Sequence, residues 1–379
     1  MAIQVLVPKF RTEECLNEIR ECLDKSWTGL GFKTQLFEEK WSEYTSLPHS
    51  HFINSNTVGL HLSFHLFKTH FGWKDNDEII TTPLTFVSTN HAIVYENLKP
   101  VFADVDETSC LDPSSIESRI TSRTRAVIYV GLGGNTGRLQ EVSQLCKKHG
   151  LKLILDAAHM AGTRFNGKHI GPEADVTIFS FQAVKNLPTA DAGMICFKEK
   201  IFDEECRKLT WLGINKDTYA RTTTQGNYKW KYDVEYVGYK YHGNSITASL
   251  GLVGLKYLDE DNRYRRQLAQ HYKKLLATIP LIKFVEEIEG TESAQHLFQI
   301  KVDDRDKLMT CLQENNIFPG VHYRDNTEYK PYAYAAGSCP NAHRISNQVI
   351  SLPLHLYLTA DDVVHICQVI HNYYLCHRL

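Results

Sequence analysis

Lys185 stands in the stretch 174–193, ADVTIFSFQAVKNLPTADAG, where a lysine could act as a nucleophile. Residues 176–181 (VTIFSF) form an apolar run with β-branched members, bounded by Asp175 and Gln182, and predict a short buried strand. A lysine just past such a strand end, in a turn-rich segment with Pro188, Asp191 and Gly193, points into a cleft. Desolvation there lowers the pKa of the ammonium and frees the amine to form a Schiff base. Taken alone, the segment is equally compatible with a solvated surface lysine.

The preceding unit bears on that choice. Residues 151–155 (LKLIL) predict another buried strand, and Asp156 ends it in the string DAAHMAG. A carboxylate at the end of a parallel strand lies where α/β sheets bind ligands. Asp156, then a strand carrying Ser180, then Lys185 make up the donor set that pyridoxal phosphate needs. The carboxylate pairs with the protonated pyridine nitrogen and the lysine holds the aldehyde. At these residues the chain resembles the sugar-nucleotide aminotransferases of the DegT/StrS group, which are fold-type I pyridoxal phosphate enzymes. The matching residues are Asp156-Ala157-Ala158-His159, Phe179-Ser180-Phe181-Gln182, Lys185 and Asp191-Ala192-Gly193. The family usually has Gln where His159 stands, His or Tyr where Gln182 stands, and Glu-Gly-Gly in place of Asp191-Ala192-Gly193.

The rest of the chain supplies the elements that must carry these residues. Residues 12–25 have helical periodicity, with Leu16, Ile19 and Leu23 on one face and Thr12 as N-cap. A second helix is expected after Thr34, with Leu36, Phe37, Trp41 and Tyr44 inward. Most of these residues read as amphipathic helices with no part in a site. Residues 51–60 (HFINSNTVGL) predict a strand, a small polar turn and an apolar helix. Such a helix start, with hydroxyls beside free N–H groups, can cradle a phosphate or simply be capped by Ser55 or Asn56. The resemblance matches Asn56 and Thr57 to the family's phosphate loop, and Phe86 to an aromatic that stacks on the cofactor ring. Without it, Phe86 reads as a core residue. Asp104 and Asp106 read as helix-capping residues before they read as metal ligands. The string 131–137 (GLGGNTG) lacks the spacing of a dinucleotide fingerprint and predicts a loop before a helix at 139–149.

Residues 232–250 (YDVEYVGYKYHGNSITASL) resemble the family segment that crosses a dimer interface toward the neighbour's cofactor phosphate. Lys240, His242 and Asn244 are the residues in question. A long helix is expected over about 248–276, interrupted near 259–262. Short strands and helices follow, containing His322-Tyr323 and Ser351-Leu352-Pro353, the family's C-terminal landmarks. The expected division is a large domain at 1–255 and a smaller α+β domain at 256–379.

Composition narrows the function classes. The chain has 379 residues, 42% hydrophobic and 23% charged, which is enough for two domains and a large core. A net charge of -2 gives no electrostatic reason to expect nucleic acid or an anionic membrane. Ten scattered cysteines without a C-x-x-C pair argue against structural zinc and against a disulfide scaffold. No signal-like apolar core opens the sequence and no run approaches membrane-spanning length, so the expected location is the cytoplasm.

The resemblance thus implies an α/β fold-type I transferase with a mixed, mostly parallel sheet. It implies transfer of an amino group from an amino acid, usually L-glutamate, to a keto group on a nucleotide-linked deoxy sugar. A 4-keto-6-deoxy hexose is the expectation from family frequency, a 3-keto sugar the alternative. The route would be surface-polysaccharide or glycoconjugate biosynthesis. The cofactor would alternate between pyridoxal phosphate and its amine form, PMP. Lys185 and Asp156 would be catalytic, and Asn56, Thr57, Phe86, His159, Ser180, Gln182, Lys240 and His242 would bind cofactor. His322 and Tyr323 would bind substrate, in a homodimer with shared sites. One branch of the family replaces the lysine with His and dehydrates instead, and Lys185 argues against that branch. The rival from another class is a non-catalytic regulator that binds the cofactor or a sugar.

Overall fold

The structure is a computed structural model that describes residues 2–215 and 232–376. In chain order it begins with β1 (Ile3–Gln4), α1 (Thr12–Asp24), α2 (Phe32–Thr45), β2 (His49–Ile53), α3 (Asn56–Phe71), β3 (Glu78–Thr81) and α4 (Ser88–Tyr95). Then come β4 (Lys99–Phe102), α5 (Pro113–Arg119), β5 (Thr124–Val130), α6 (Leu139–His149) and β6 (Lys152–Asp156). The hairpin strands β7 (Arg164–Phe165) and β8 (Lys168–His169), then β9 (Val176–Ser180), β10 (Gly193–Phe197) and α7 (Lys200–Thr210) follow.

One seven-stranded sheet, in the order β2-β10-β9-β6-β5-β3-β4, organises this part. Every pairing that β10 makes is antiparallel, and the others are parallel. The central strands are apolar at successive positions because both faces are covered. Ala126, Ile128, Ile154, Val176, Ile178 and Ile195 face a core shared with α3 and α7. Val127, Tyr129, Leu153, Leu155, Phe179 and Cys196 face the opposite core, shared with α2 and α6. On that side Trp41 meets Phe179 and Phe181 edge-on, with centroids 4.9 and 5.0 Å away. On the other, Gly59 lets the α3 backbone approach the sheet, since a Cβ there would lie 2.6 Å from Ile178 Cγ2.

The helix Ser245–Leu276 runs unbroken for 32 residues, which corrects the expected interruption at 259–262. Its polar residues are tied to other segments and leave the helix intact. Asp259 pairs with Arg164, Asp261 with Arg11, and Asn262 Nδ2 donates to the Ala161 carbonyl. It also starts earlier than expected, because the Asn244 side chain accepts from the Thr247 N–H as N-cap. Ala248, Leu252 and Leu258 pack in the first part's core, while Leu268, Tyr272 and Leu276 pack in a second core. That second core includes the antiparallel sheet of Lys283–Phe284, Phe298–Lys301 and Val349–Leu352 and the final helix Ala360–Cys376. β1 pairs with Ile317–Phe318, so the chain's beginning joins this later part.

Two expectations about the first helices are corrected. In α1, Leu16 and Leu23 are exposed, and Cys15 and Cys22 are buried instead. Cys22 Sγ lies 3.4 Å from Ser249 Oγ, so the helix pair closes on a seam of small side chains. Thr12 is the first helical residue, not the cap. In α2, Phe37 and Trp41 are buried but Leu36 is exposed. That helix starts at Phe32, and Thr34 folds back so that its hydroxyl accepts from the Gly31 N–H. Among the described residues no helix is long and apolar enough to cross a membrane.

Candidate active site

The carboxyl edge of the large sheet gathers the polar residues. Asp156 is the last residue of β6, and the segments after β2, β3 and β9 bring residues 55–57, 85–88 and 180–185 to the same edge. Because β10 runs the other way, its start brings Asp191 and Ala192 there as well. Gly193 pairs with both Ser180 and Ile53, and a Cβ on it would lie 2.8 Å from the Asn56 backbone nitrogen. The absence of a side chain at 193 is what lets α3 begin so close to β9. The residues enclose a cavity of about 430 Å³, completed by His159, His322 and Tyr323. A carboxyl-edge cleft is where open α/β sheets bind ligands.

Asp156 is 4% exposed and holds a dense set of donors. Thr89 Oγ1 donates to one carboxylate oxygen at 2.8 Å, and Asn56 Nδ2 and the Ala158 N–H donate to the other, each at 3.2 Å. Burial pushes its carboxyl above the usual range, against the pull of these donors and of the Lys185 charge. A buried carboxylate so arranged is poised to accept a charged N–H from a ligand. Sequence reading missed Thr89, the second residue of α4, which carries only a threonine's ordinary capping signature. It matched Asn56 to a phosphate loop, whereas the Asn56 side chain turns to Asp156 and to the Ile178 carbonyl.

Lys185 follows β9 through a turn in which its N–H bonds the Gln182 carbonyl at 2.8 Å. The Gln182 side-chain oxygen accepts from the Val184 N–H and the Ser180 hydroxyl from the Gln182 N–H, so both shape this turn while lining the cavity. Burial pushes the Lys185 ammonium down from 10.5 to about 8, with the Asp156 charge opposing. An amine-selective acylating reagent applied to the ligand-free protein is therefore expected to label Lys185 with a rate that rises through a midpoint near pH 8. Peptide mapping across pH checks this; a midpoint near 10.5 would place the amine in water.

At the other end of the cavity, Ser55 caps α3 by accepting from the Val58 N–H, and Thr57 stands in the helix's first turn. With Ser180 these residues could hold an anion at the helix start. Phe86 is 58% exposed on the cavity rim and is not a core residue. Its ring lies 5.9 Å from that of Tyr323. Three residues on, Asn326 ties this segment to the loop before Phe86: its N–H donates to the Pro83 carbonyl and its Nδ2 to the Thr85 carbonyl, each at 2.8 Å.

Three histidines gather near this end, His159 and His296 buried and His322 half-buried. His159 Nδ1 receives the Gly133 N–H at 3.2 Å, and its Nε2 lies 3.2 Å from the Tyr323 hydroxyl. His296, missed in sequence, packs 4.3 Å from the His159 ring. Nothing in the local sequence marks it, because it reaches the site only through tertiary packing of the later part of the chain. Burial and the Lys185 charge hold both rings well below the usual 6.5, and hold His322 at about 4. The glycine loop after β5 forms a tight turn from which the Gly133 N–H reaches His159. Asp104 accepts the N–H groups of Asn341 and Ala342 at the start of Pro340–Gln348, and Asp106 accepts that of Thr108. Among the described residues no acidic, His or Cys group is arranged to hold a metal ion.

Lys240, His242 and Asn244 do not line the cavity of their own chain. Lys240 Nζ sits 3.2 Å over the Trp211 ring, His242 Nδ1 lies 2.6 Å from the Gly243 carbonyl, and Asn244 is the N-cap already described.

The chain is similar to proteins of known kinship. The spore coat polysaccharide biosynthesis protein SpsC of Bacillus subtilis is 33% identical to it over 95% of this chain and 94% of its own. PseC of Helicobacter pylori, an aminotransferase involved in the biosynthesis of pseudoaminic acid, superposes with a TM-score of 0.90 at 25% identity, over 98% of this chain and 99% of its own. The PMP form of Spr1654 from Streptococcus pneumoniae superposes equally well, at 0.90 and 26% identity over 100% of both chains. The family model of the DegT/DnrJ/EryC1/StrS aminotransferases matches residues 10–371, which takes in every cavity residue named above. With a buried carboxylate and a depressed lysine on one sheet edge, and that match along almost its full length, the chain belongs to the DegT/DnrJ/EryC1/StrS aminotransferase family.

Proposed function

We propose that this protein is a pyridoxal phosphate-dependent aminotransferase that moves an amino group from L-glutamate to the keto carbon of a nucleotide-linked deoxy sugar. The observation that carries the reading is the pairing of Lys185, pushed down to about 8, with buried Asp156 in one cavity. The donor set fits the cofactor: a carboxylate for a pyridinium N–H, a helix start with Ser55, Thr57 and Ser180 for a phosphate, and an amine for an aldehyde. When bound, pyridoxal phosphate supplies the carbonyl that accepts the amino group and a ring that withdraws electrons from the reacting carbon.

The chain's own residues do the rest. Asp156 holds a proton on the ring nitrogen, and Thr89, Asn56 and the Ala158 N–H hold Asp156. Lys185 Nζ takes the proton from the donor's Cα and delivers it on the other side of the transfer. Its lowered pKa keeps a usable fraction of neutral amine near neutrality. Phe86 and His159 would flank the ring, and His322 and Tyr323 would meet the sugar. The enzyme works as a cytoplasmic homodimer, with Lys240 and His242 reaching the partner's cofactor phosphate. Residues 1–255 carry the cofactor, and residues 256–379 form the smaller domain over the substrate. A 4-keto-6-deoxy hexose is the substrate proposed first and a 3-keto sugar second, for polysaccharide or glycoconjugate synthesis. The kinship with SpsC and PseC supports this setting.

A panel of keto sugar nucleotides and amino donors, read by mass spectrometry, tests the reading. The expected result is an amino sugar formed with one donor-linked keto acid released per turnover. Absence of amine transfer to every sugar in the panel would favour the regulatory alternative.

A further inference from the structure

The hydrogen bonds around His159 determine which way a proton points. The Gly133 backbone nitrogen can only donate, so His159 Nδ1, 3.2 Å away, presents a lone pair. The ring is buried and neutral, so its single proton sits on Nε2. Nε2 faces the Tyr323 hydroxyl at 3.2 Å, and His159 therefore donates to the tyrosine oxygen.

The neighbouring His296 is fixed independently. Asn186 Nδ2 donates to the Asn262 side-chain oxygen at 2.8 Å and to the Ala294 carbonyl at 2.7 Å. Its oxygen is thus the atom that faces His296 Nδ1 at 2.8 Å, and His296 carries its proton there. The two neighbouring rings, tilted 41° to each other, hold opposite tautomers. The Tyr323 hydroxyl has no other hydrogen-bond partner among the described residues, and it lines the cavity. With its oxygen already accepting from His159, its own proton is directed into that cavity.

We propose that His159 is a positioning residue that makes Tyr323 a one-way hydrogen-bond donor, so that the site selects an acceptor oxygen on the bound ligand at this point. The identity of that ligand rests on the proposed function. Two acceptor oxygens of that reaction have the required chemistry, the cofactor's ring oxygen and the sugar's keto oxygen. Phe86 stands beside the tyrosine ring at the cavity rim, with centroids 5.9 Å apart.

The tautomer is tested directly by NMR of the full-length protein labelled with 15N-histidine, the His159 signals being assigned by their loss in His159→Gln. A proton on Nε2 alone is expected at neutral pH; a proton on Nδ1, or on both nitrogens, would overturn the proposal. This readout stands even if the wild-type protein aminates none of the sugars, which would instead sink the functional reading. The coupling is tested with Tyr323→Phe, His159→Leu and the double variant. Each single change is expected to cost roughly tenfold, and the double change no more than either. His159→Gln, whose amide can both accept from Gly133 and donate to Tyr323, recovers most of that loss. If the cost falls on KM for the sugar nucleotide, the acceptor is the keto oxygen. If it falls on the pH midpoint of the cofactor's visible absorption without sugar, the acceptor is the ring oxygen. Additive penalties, or a Tyr323→Phe variant unchanged in both measurements, would refute the pairing.

Discussion

Replacing Lys185 with alanine is expected to lower the rate of amine transfer by roughly four decades, while leaving the cofactor bound. The rate falls because this one side chain is asked to do two things. In the proposed reaction it attaches the cofactor and moves a proton at the donor's Cα, and among the described residues no other amine lines the cavity. Binding survives because Asp156, its donors and the α3 start are untouched by the change. The burial that lowers the lysine's pKa is also why a surface lysine could not replace it: an amine in water is almost wholly protonated at neutral pH, with a pKa of about 10.4. Stopped-flow turnover and equilibrium cofactor titration check the two halves. A small alkylamine added to the variant should restore part of the rate, because it returns a neutral base to a space the alanine leaves open. Loss of folding would show instead as failed cofactor binding.

Asp156→Asn is expected to cut turnover by about two decades, with a smaller effect on cofactor affinity. The loss arises from charge. The carboxylate is buried and its pairing with a ring N–H is charge-assisted, so a neutral amide holds the proton on the ring far less well. The amide also brings N–H groups toward Asn56 Nδ2 or Thr89 Oγ1, which both donate to the carboxylate in the native site. Folding does not share the charge penalty. Burial pushes the Asp156 carboxyl up, so the ionised group costs the fold energy at neutral pH, and a neutral residue there removes that cost. Thermal melts of the cofactor-free proteins should show no matching fall in Tm. Near-wild-type turnover would mean that something other than Asp156 controls the ring nitrogen.

How much of this was legible in the sequence depends on how local each signal is. The strands behind Asp156 and Lys185 could be read because apolar runs covered on both faces look alike wherever they occur. The helix Leu139–His149 was read to the residue, since its apolar face is ended by Gly150 in the left-handed conformation. The outer face of α1 was misread because leucine is expected inward, while the actual seam is made by Cys15, Cys22 and the serines of Ser245–Leu276. The polar group 259–262 looked like a break because its partners, Arg164, Arg11 and Ala161, are distant in sequence. Within the site, Asp156 and Lys185 were legible as strand-end chemistry. Thr89 and His296 were not, because they are defined by what they touch across the fold. The chemistry of Asn56 was half legible: its place at the start of α3 was clear, its bond to Asp156 was not.

Borohydride reduction of the holoenzyme tests most directly whether Lys185 is the residue that bonds the cofactor. Reduction fixes the cofactor to whichever amine holds it, and peptide mapping by mass spectrometry locates the attached pyridoxyl group. The predicted result is a single modified peptide carrying the group on Lys185. A group on any other lysine, or an unmodified chain from an active holoenzyme, would contradict it.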